Sequence, residues 1–329
     1  MNTKFVACAV SFALLFGTAS SLSIAADSIA AATSTALPPA GTGFAEVQRL
    51  AQQGNVQAQT RLGWMYDHGK GAPQNAKQAV FWYRKAAEQG YKNAQYNLAL
   101  CYYQGYGVAQ DYKQSAIWLR KVADQGDPEA QNNLGMMYGK GQGVALDHKQ
   151  ALVWYLKAAQ QGNAMAQNNV GAVYANGEGV SVDYKQAMYW YMKAAQQGYA
   201  VAQNNVGGGY AKGLGVAKDD KQAAFWYRKA AEQGNALAQN NLGALYATGE
   251  GVKQDFKQAA QWYRKAADQG YDAAQINLGV MYKEGGGGLP KDYRQAAQWF
   301  HKAAQSNDPQ QRQQAQVQLQ DLQRLQQMQ

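Results

Sequence analysis

The sequence predicts an all-α fold: a right-handed α-solenoid of about seven 36-residue helix-pair repeats, with a half repeat before them and a capping helix after. Three observations carry this. Gly54, Gly90, Gly126, Gly162, Gly198, Gly234 and Gly270 stand 36 residues apart, a period that signals stacked repeats. Trp82, Trp118, Trp154, Trp190, Trp226 and Trp262 keep that spacing, and Trp299 follows one residue late, the extra residue lying in the run Gly285 to Gly288. In each repeat an aspartate or asparagine is also followed three residues on by glutamine: Asn75/Gln78, Asp111/Gln114, Asp147/Gln150, Asp183/Gln186, Asp219/Gln222, Asp255/Gln258 and Asp292/Gln295.

From the amino terminus, residues 1–26 have the layout of a secretory signal peptide: Lys4, an apolar run from Phe5 to Phe16, then small residues to Ala26. That run is shorter than the roughly 20 residues that span a bilayer, so cleavage is expected and not an anchor. Residues 27–43 are small and aperiodic, with Pro38 and Pro39, and predict a flexible linker. Residues 44–54 supply one helix, a half repeat, and 55–307 hold the seven full repeats. After them, 308–329 predict a Gln-rich capping helix from Gln310 to about Met328, with Val317, Leu319, Leu322 and Leu325 among polar residues.

Residues 127–162 show how one repeat is built. Ala130, Leu134, Gly135 and Tyr138 share one face of a first helix, and the glycine lets another helix approach closely. Gly139 to Gly143 should end it, since glycine tolerates the left-handed conformation of helix ends. Asp147 and Gln150 predict a capping box, the carboxylate accepting from first-turn amides while the glutamine reaches back. The second helix then buries Ala151, Trp154, Tyr155, Ala158 and Ala159 before Gly162 closes the unit.

The pattern Ala130-x-x-x-Leu134-Gly135-x-x-Tyr138, Gly141-x-Gly143-Val144, Asp147, Ala151, Trp154, Lys157-Ala158-Ala159, Gly162 resembles the Sel-one-like repeats. These are relatives of the tetratricopeptide repeat with a longer loop between their two helices. The resemblance covers about residues 55–307, with small departures at Ala72, Ala99 and Asn307. Some cysteine-rich members are associated with penicillin binding and β-lactam hydrolysis, but this chain lacks their paired cysteines.

Chemistry is not written into the sequence. After loss of Cys8 with the signal peptide, Cys101 is left alone, in a slot filled elsewhere by Met65, Met137, Val173, Leu245 and Met281, so a semi-buried apolar position and no activated nucleophile is expected. His68, His148 and His301 share no register, and no metal-ligand, phosphate-loop or nucleophile motif occurs. The expectation is no enzyme, no catalytic residue, no metal and no cofactor. A mean hydropathy of −0.53 speaks against several membrane spans. The net charge of +9 lies in mixed-sign clusters, which permit nucleic acid without pointing to it. The pairs Arg84-Lys85, Arg120-Lys121, Arg228-Lys229 and Arg264-Lys265 read as a solvated face.

Binding remains. Half a turn from the Ala, Leu and Tyr of the first helices run two rows. One is Trp64, Leu100, Met136, Ala172, Gly208, Ala244 and Val280; the other includes Met165, Val201 and Leu237. With Lys140 and Lys212 at the rim, they form either the apolar floor of a concave groove for a peptide or the packing between neighbouring first helices. Asn97, Asn133, Asn169, Asn205, Asn241 and Asn277 recur just before the Leu-Gly position, and serve either a structural hydrogen bond or, as in related peptide-binding repeats, a ligand backbone. The expected role is an exported adaptor, periplasmic or secreted, that binds a protein or peptide partner, without stable membrane insertion. The alternatives are a peptidoglycan- or polysaccharide-binding assembly factor, with Trp64 and Tyr96 stacking on sugars, and a cell-wall-acting enzyme.

Overall fold

The computed structural model describes residues 43–285 and 289–327. The expected signal peptide and all of the expected linker but Gly43 lie outside the described residues. Among those described there are sixteen α-helices and no strand, an all-α solenoid. They fall into two compact units, residues 43–182 and 183–327.

In the first unit, α1 (Phe44–Gln52) precedes the helix pairs α2 (Val56–His68) and α3 (Ala76–Glu88), α4 (Lys92–Gln104) and α5 (Tyr112–Asp124), and α6 (Pro128–Lys140) and α7 (His148–Gln160), then α8 (Ala164–Asn176). The second opens with α9 (Tyr184–Gln196). The pairs α10 (Ala200–Lys212) and α11 (Asp220–Glu232), α12 (Ala236–Thr248) and α13 (Phe256–Asp268), and α14 (Asp272–Glu284) and α15 (Tyr293–Ala303) follow, closed by α16 (Pro309–Gln327). Within each unit every helix packs on its neighbours in sequence.

Local chemistry sets the boundaries. Gly141 ends α6 at φ 64°, in the left-handed region. Gly143, at φ 70°, needs glycine twice over, because a Cβ there would lie 2.1 Å from the carbonyl oxygen of Tyr112 in the preceding repeat. At the start of α7, Asp147 accepts from the Gln150 amide at 2.9 Å, as expected of a cap. The return half of the capping box is absent: the Asp147 amide donates to the Tyr138 carbonyl at 3.0 Å, so a backbone group already satisfies what the glutamine would have reached. The same backbone bond recurs from Asp111 to Tyr102 and from Asp255 to Tyr246.

Packing is apolar and interlocked. Leu134 and Met137 of α6 share one cluster with Leu119 of α5, Leu100 of α4 and Trp154 of α7, so each repeat is completed by its neighbours. The basic pairs lie on a solvated face as expected, with Arg84 and Arg228 exposed and Arg120 half-buried, and their arginines are ties as well. Arg84 and Arg120 donate to the hydroxyls of Tyr102 and Tyr138 at 3.0 and 2.8 Å, and Arg228 does so to Tyr246 at 2.7 Å. Lys121 and Lys157 lie 4.1 and 4.0 Å over the rings of Trp118 and Trp154.

Both ends are covered. Val47 and Ala51 of α1 pack on Leu62 and Met65. The capping helix α16 buries Ala315 and Leu322, one face at a seven-residue step, against Ile276, Phe300 and Ala303. Val317 and Leu325, two of the four apolar residues expected to matter there, are exposed because they fall off that face.

Candidate functional site

A first helix has more than one neighbour, and this decides where the expected groove residues lie. Leu100 is 3% exposed and Met136 is 4% exposed, and Ala172, Gly208 and Ala244 are buried as well. The row is therefore packing over most of its length; Trp64 and Val280, towards its two ends, are half-buried. Met165, Val201 and Leu237 of the second row are half-buried, and Lys140 and Lys212 are exposed. Tyr96 is buried with its hydroxyl held by Asn133, and Trp64 stacks on His68, so the two do not form an open platform for sugars.

The asparagines form a ladder. Asn169 Nδ2 donates to Asn132 Oδ1 at 2.9 Å, Asn241 to Asn204 at 3.1 Å and Asn277 to Asn240 at 3.0 Å, while Asn133 donates to Tyr96 Oη at 3.0 Å. Each bond spans 37 residues and joins one first helix to the preceding one. Asn97, Asn133, Asn169, Asn205 and Asn241 are buried and Asn277 half-buried. The amides of Asn133, Asn169, Asn241 and Asn277 are spent on the fold, as buried polar groups must be. Asn97 begins the ladder, and its Oδ1 is buried without a partner.

A second ladder, of glutamines, runs beside it, and no motif in the sequence marks it. Gln131 Nε2 donates to the Ala123 carbonyl at 3.1 Å, while its Oε1 accepts from Gln161 at 2.8 Å. Gln59, Gln95, Gln203 and Gln239 repeat this arrangement, each with a glutamine 30 residues on. At the last repeat the inserted residue puts Ser306 in that place, Ser306 bonds Asp272, and Gln275 Oε1 is left buried without a partner.

Three of the expected residues do come together. Met136, Lys140 and Asn169 line a cavity of about 200 Å³ where α6, α7 and α8 meet, with Gly139, His148, Tyr155, Ala172 and Glu178 completing it. The room comes from Gly139, which stands where the other repeats have Asp67, Tyr103, Ala175, Ala211, Ala247 and Lys283. A Cβ at Gly139 would rest at ordinary contact distance, 3.6 Å from Ala151 and 3.8 Å from the Tyr155 hydroxyl. Burial first, and the Glu178 carboxylate second, push the Tyr155 phenol well above its ordinary range, so it is a neutral donor at any physiological pH. The break in the repeat at Gly139 was the signal for this cavity; His148, Tyr155 and Glu178 carry no shared motif. No group of three His, Cys, Asp or Glu among the described residues is placed to hold a metal ion, and no helix among them is long and apolar enough to cross a membrane.

The Sel1 repeat family matches residues 56–91, 92–127, 128–163, 164–199, 200–235, 236–271 and 272–308. A protective antigen present in uropathogenic Escherichia coli strains, displaying an SLR fold, is 37% identical, with a TM-score of 0.65; the match covers 82% of this chain and 66% of that one, just under two thirds of its length. A Sel1 repeat protein from Oxalobacter formigenes is 36% identical over 86% of this chain and 80% of that one, with a TM-score of 0.72. No curated protein matches. Seven in-phase matches that together run from residue 56 to 308 place the chain in the Sel1 repeat family.

Proposed function

We propose that this protein is an exported adaptor of the bacterial envelope or its surroundings, and that a protein partner inserts one side chain into the cavity beside Gly139 on the first-helix side of the repeats. Sel1 repeat proteins are generally protein-interaction adaptors, and this chain has the repeats without a catalytic motif. The layout of residues 1–26 supports export. The observation that carries the site is the cavity itself. At about 200 Å³ it is smaller than the roughly 300–1,000 Å³ of pockets that enclose a drug-sized ligand, and suits a single side chain. Its wall is mixed: Met136, Ala172 and Val173 offer apolar contact, while Lys140, His148 and Glu178 can fix a polar backbone at the mouth.

The test is capture from envelope extract by the mature chain, compared with a Gly139→Leu variant that fills the cavity. The variant is expected to keep its thermal midpoint and lose the captured protein. Equal capture by both would overturn the assignment of the cavity. A cell-wall sedimentation assay alongside reads the polysaccharide alternative, in which the chain co-sediments with peptidoglycan and captures no protein.

A further inference from the structure

The second helices carry a row of apolar side chains on their solvent side. Phe81, Ile117 and Val153 stand at the same register of α3, α5 and α7, and are 47%, 44% and 44% exposed. Tyr189 and Phe225 hold that register in α9 and α11, and Gln261 and Gln298 end it. Single exposed apolar side chains are ordinary, but five in successive repeats at one solvent-facing register are not. Their identities differ while their apolar character does not, so simple copying of one residue does not account for them.

Charge surrounds the row. Phe81 has Lys77 four residues before it and Lys85 four after; Ile117 has Lys113 and Lys121; Val153 has Lys149 and Lys157. All six lysines are exposed and none forms an ion pair within the described residues. Counting their six aspartate N-caps, the seven second helices hold 18 of the 31 basic residues and 11 of the 22 acidic ones, so they carry +7 of the net +9. The carboxylates on this face, Asp111 and Asp147 before the first lysines and Glu88 and Asp124 beyond the last, lie outside the two lysine rows.

The spacing selects the occupant. Eight helical residues separate the two lysines of each helix, about 12 Å along its axis, and an α-helix with its side chains is about 10–12 Å across. A duplex would meet two cationic rows with an apolar row between them that it does not need, and a bilayer, which takes basic and apolar groups together, gives no reason for two rows set one helix diameter apart. We propose that the strip formed by Phe81, Ile117 and Val153 in the first unit docks an acidic amphipathic helix of a partner protein, laid across α3, α5 and α7. Its apolar stripe covers the central row and its flanking carboxylates pair with the lysines on both sides. This rests on the adaptor role but uses a surface apart from the cavity at Gly139.

The experiment titrates the full mature chain with a fluorescent amphipathic helical peptide bearing a leucine stripe flanked on both sides by glutamates. Its controls are the same peptide with lysines for glutamates, vesicles of anionic phosphatidylglycerol, and duplex DNA. The glutamate peptide is expected to bind, to weaken with salt, and to lose at least tenfold in affinity in the variant Phe81→Ser/Ile117→Ser/Val153→Ser. A second variant, Lys77→Gln/Lys113→Gln/Lys149→Gln, should lower the salt dependence. Both change exposed positions, so their thermal midpoints should match the parent, and Gly139→Leu should bind the peptide normally. No binding of the glutamate peptide, binding that the serine variant leaves intact, or binding of vesicles or DNA in its place overturns the proposal. The adaptor role itself fails separately, if envelope extract yields no captured protein to the parent chain.

Discussion

Alanine is the better helix former, yet replacing Gly135 with it should destabilise the protein. A Cβ at Gly135 would stand 2.7 and 2.8 Å from Cδ1 and Cε1 of Tyr155 and 3.1 Å from the Ala151 carbonyl, and the buried ring would have to shift to admit it. Overpacking of this kind costs about 1–3 kcal/mol, against a gain of about 1 kcal/mol in helix propensity. The expected net loss is up to ~2 kcal/mol, or up to roughly 8 °C in the thermal midpoint of a unit of this size. The sequence contains its own rescue. In the second repeat Ala99 replaces the glycine, and Leu119 stands where other repeats have Tyr83, Tyr155, Tyr191, Tyr227 and Tyr263; both are fully buried in one cluster. Tyr155→Leu in the Gly135→Ala background should therefore recover stability, with a favourable coupling of about 1–3 kcal/mol in a double-mutant cycle followed by circular dichroism. A rise in midpoint for Gly135→Ala alone, or additive effects of the two changes, would refute the contact as the reason for glycine.

Four other outcomes follow. Asn169→Ala removes the donor to buried Asn132 Oδ1, and should cost about 1–3 kcal/mol in urea unfolding while the helix content of the folded state is unchanged. Asp147→Ala should cost about 1 kcal/mol as a lost cap, but Gln150→Ala much less, because the glutamine side chain does not reach back; equal costs would restore the full capping box. Burial pushes the Cys101 thiol up to about 12, so at pH 8 only about one part in 10⁴ is thiolate, and alkylation should wait for unfolding. The sign follows: this raised value adds stability below the ordinary thiol range that is lost as pH climbs towards 12, and native-state labelling within minutes would contradict it. Met136→Glu places a carboxylate where 4% of the residue meets solvent, and should destabilise by more than ~3 kcal/mol.

Much of the fold was legible because the repeat states each rule seven times. A period of 36, a cap at each second helix and glycine at each helix end are local signals, and α6 and α7 end within about two residues of where those signals put them. The glutamine and asparagine ladders were harder to see. Asn133 and Gln131 were visible as recurring residues, but their partners lie 37 and 30 residues away, and sequence alone does not say which of several polar residues meets them. Likewise the basic pairs read as a solvated face, which Arg84 and Arg228 keep, but the bond from Arg120 to the Tyr138 hydroxyl, 18 residues on, has no local signal.

The misplaced groove has a physical cause that also explains the surface proposed in its stead. Helical periodicity distinguishes one face from its opposite, and is informative when a helix has one buried side. Here α6 packs on α7 through Leu134 and Gly135 while its opposite side, with Met136 and the donor Asn133, meets the first helices before and after it. Both faces are interior, so the apolar row Leu100, Met136, Ala172 marked burial and not a floor. The second helices are different: α5 packs against α4 and α6, and leaves a side with Lys113, Ile117 and Lys121 in solvent. On such a helix an exposed apolar residue is outside the core that builds the repeat, and its recurrence carries functional information that the same residue on a first helix does not. A repeat protein should accordingly be searched for partners on the helix with fewer neighbours, at positions where apolar character persists although the fold leaves them exposed.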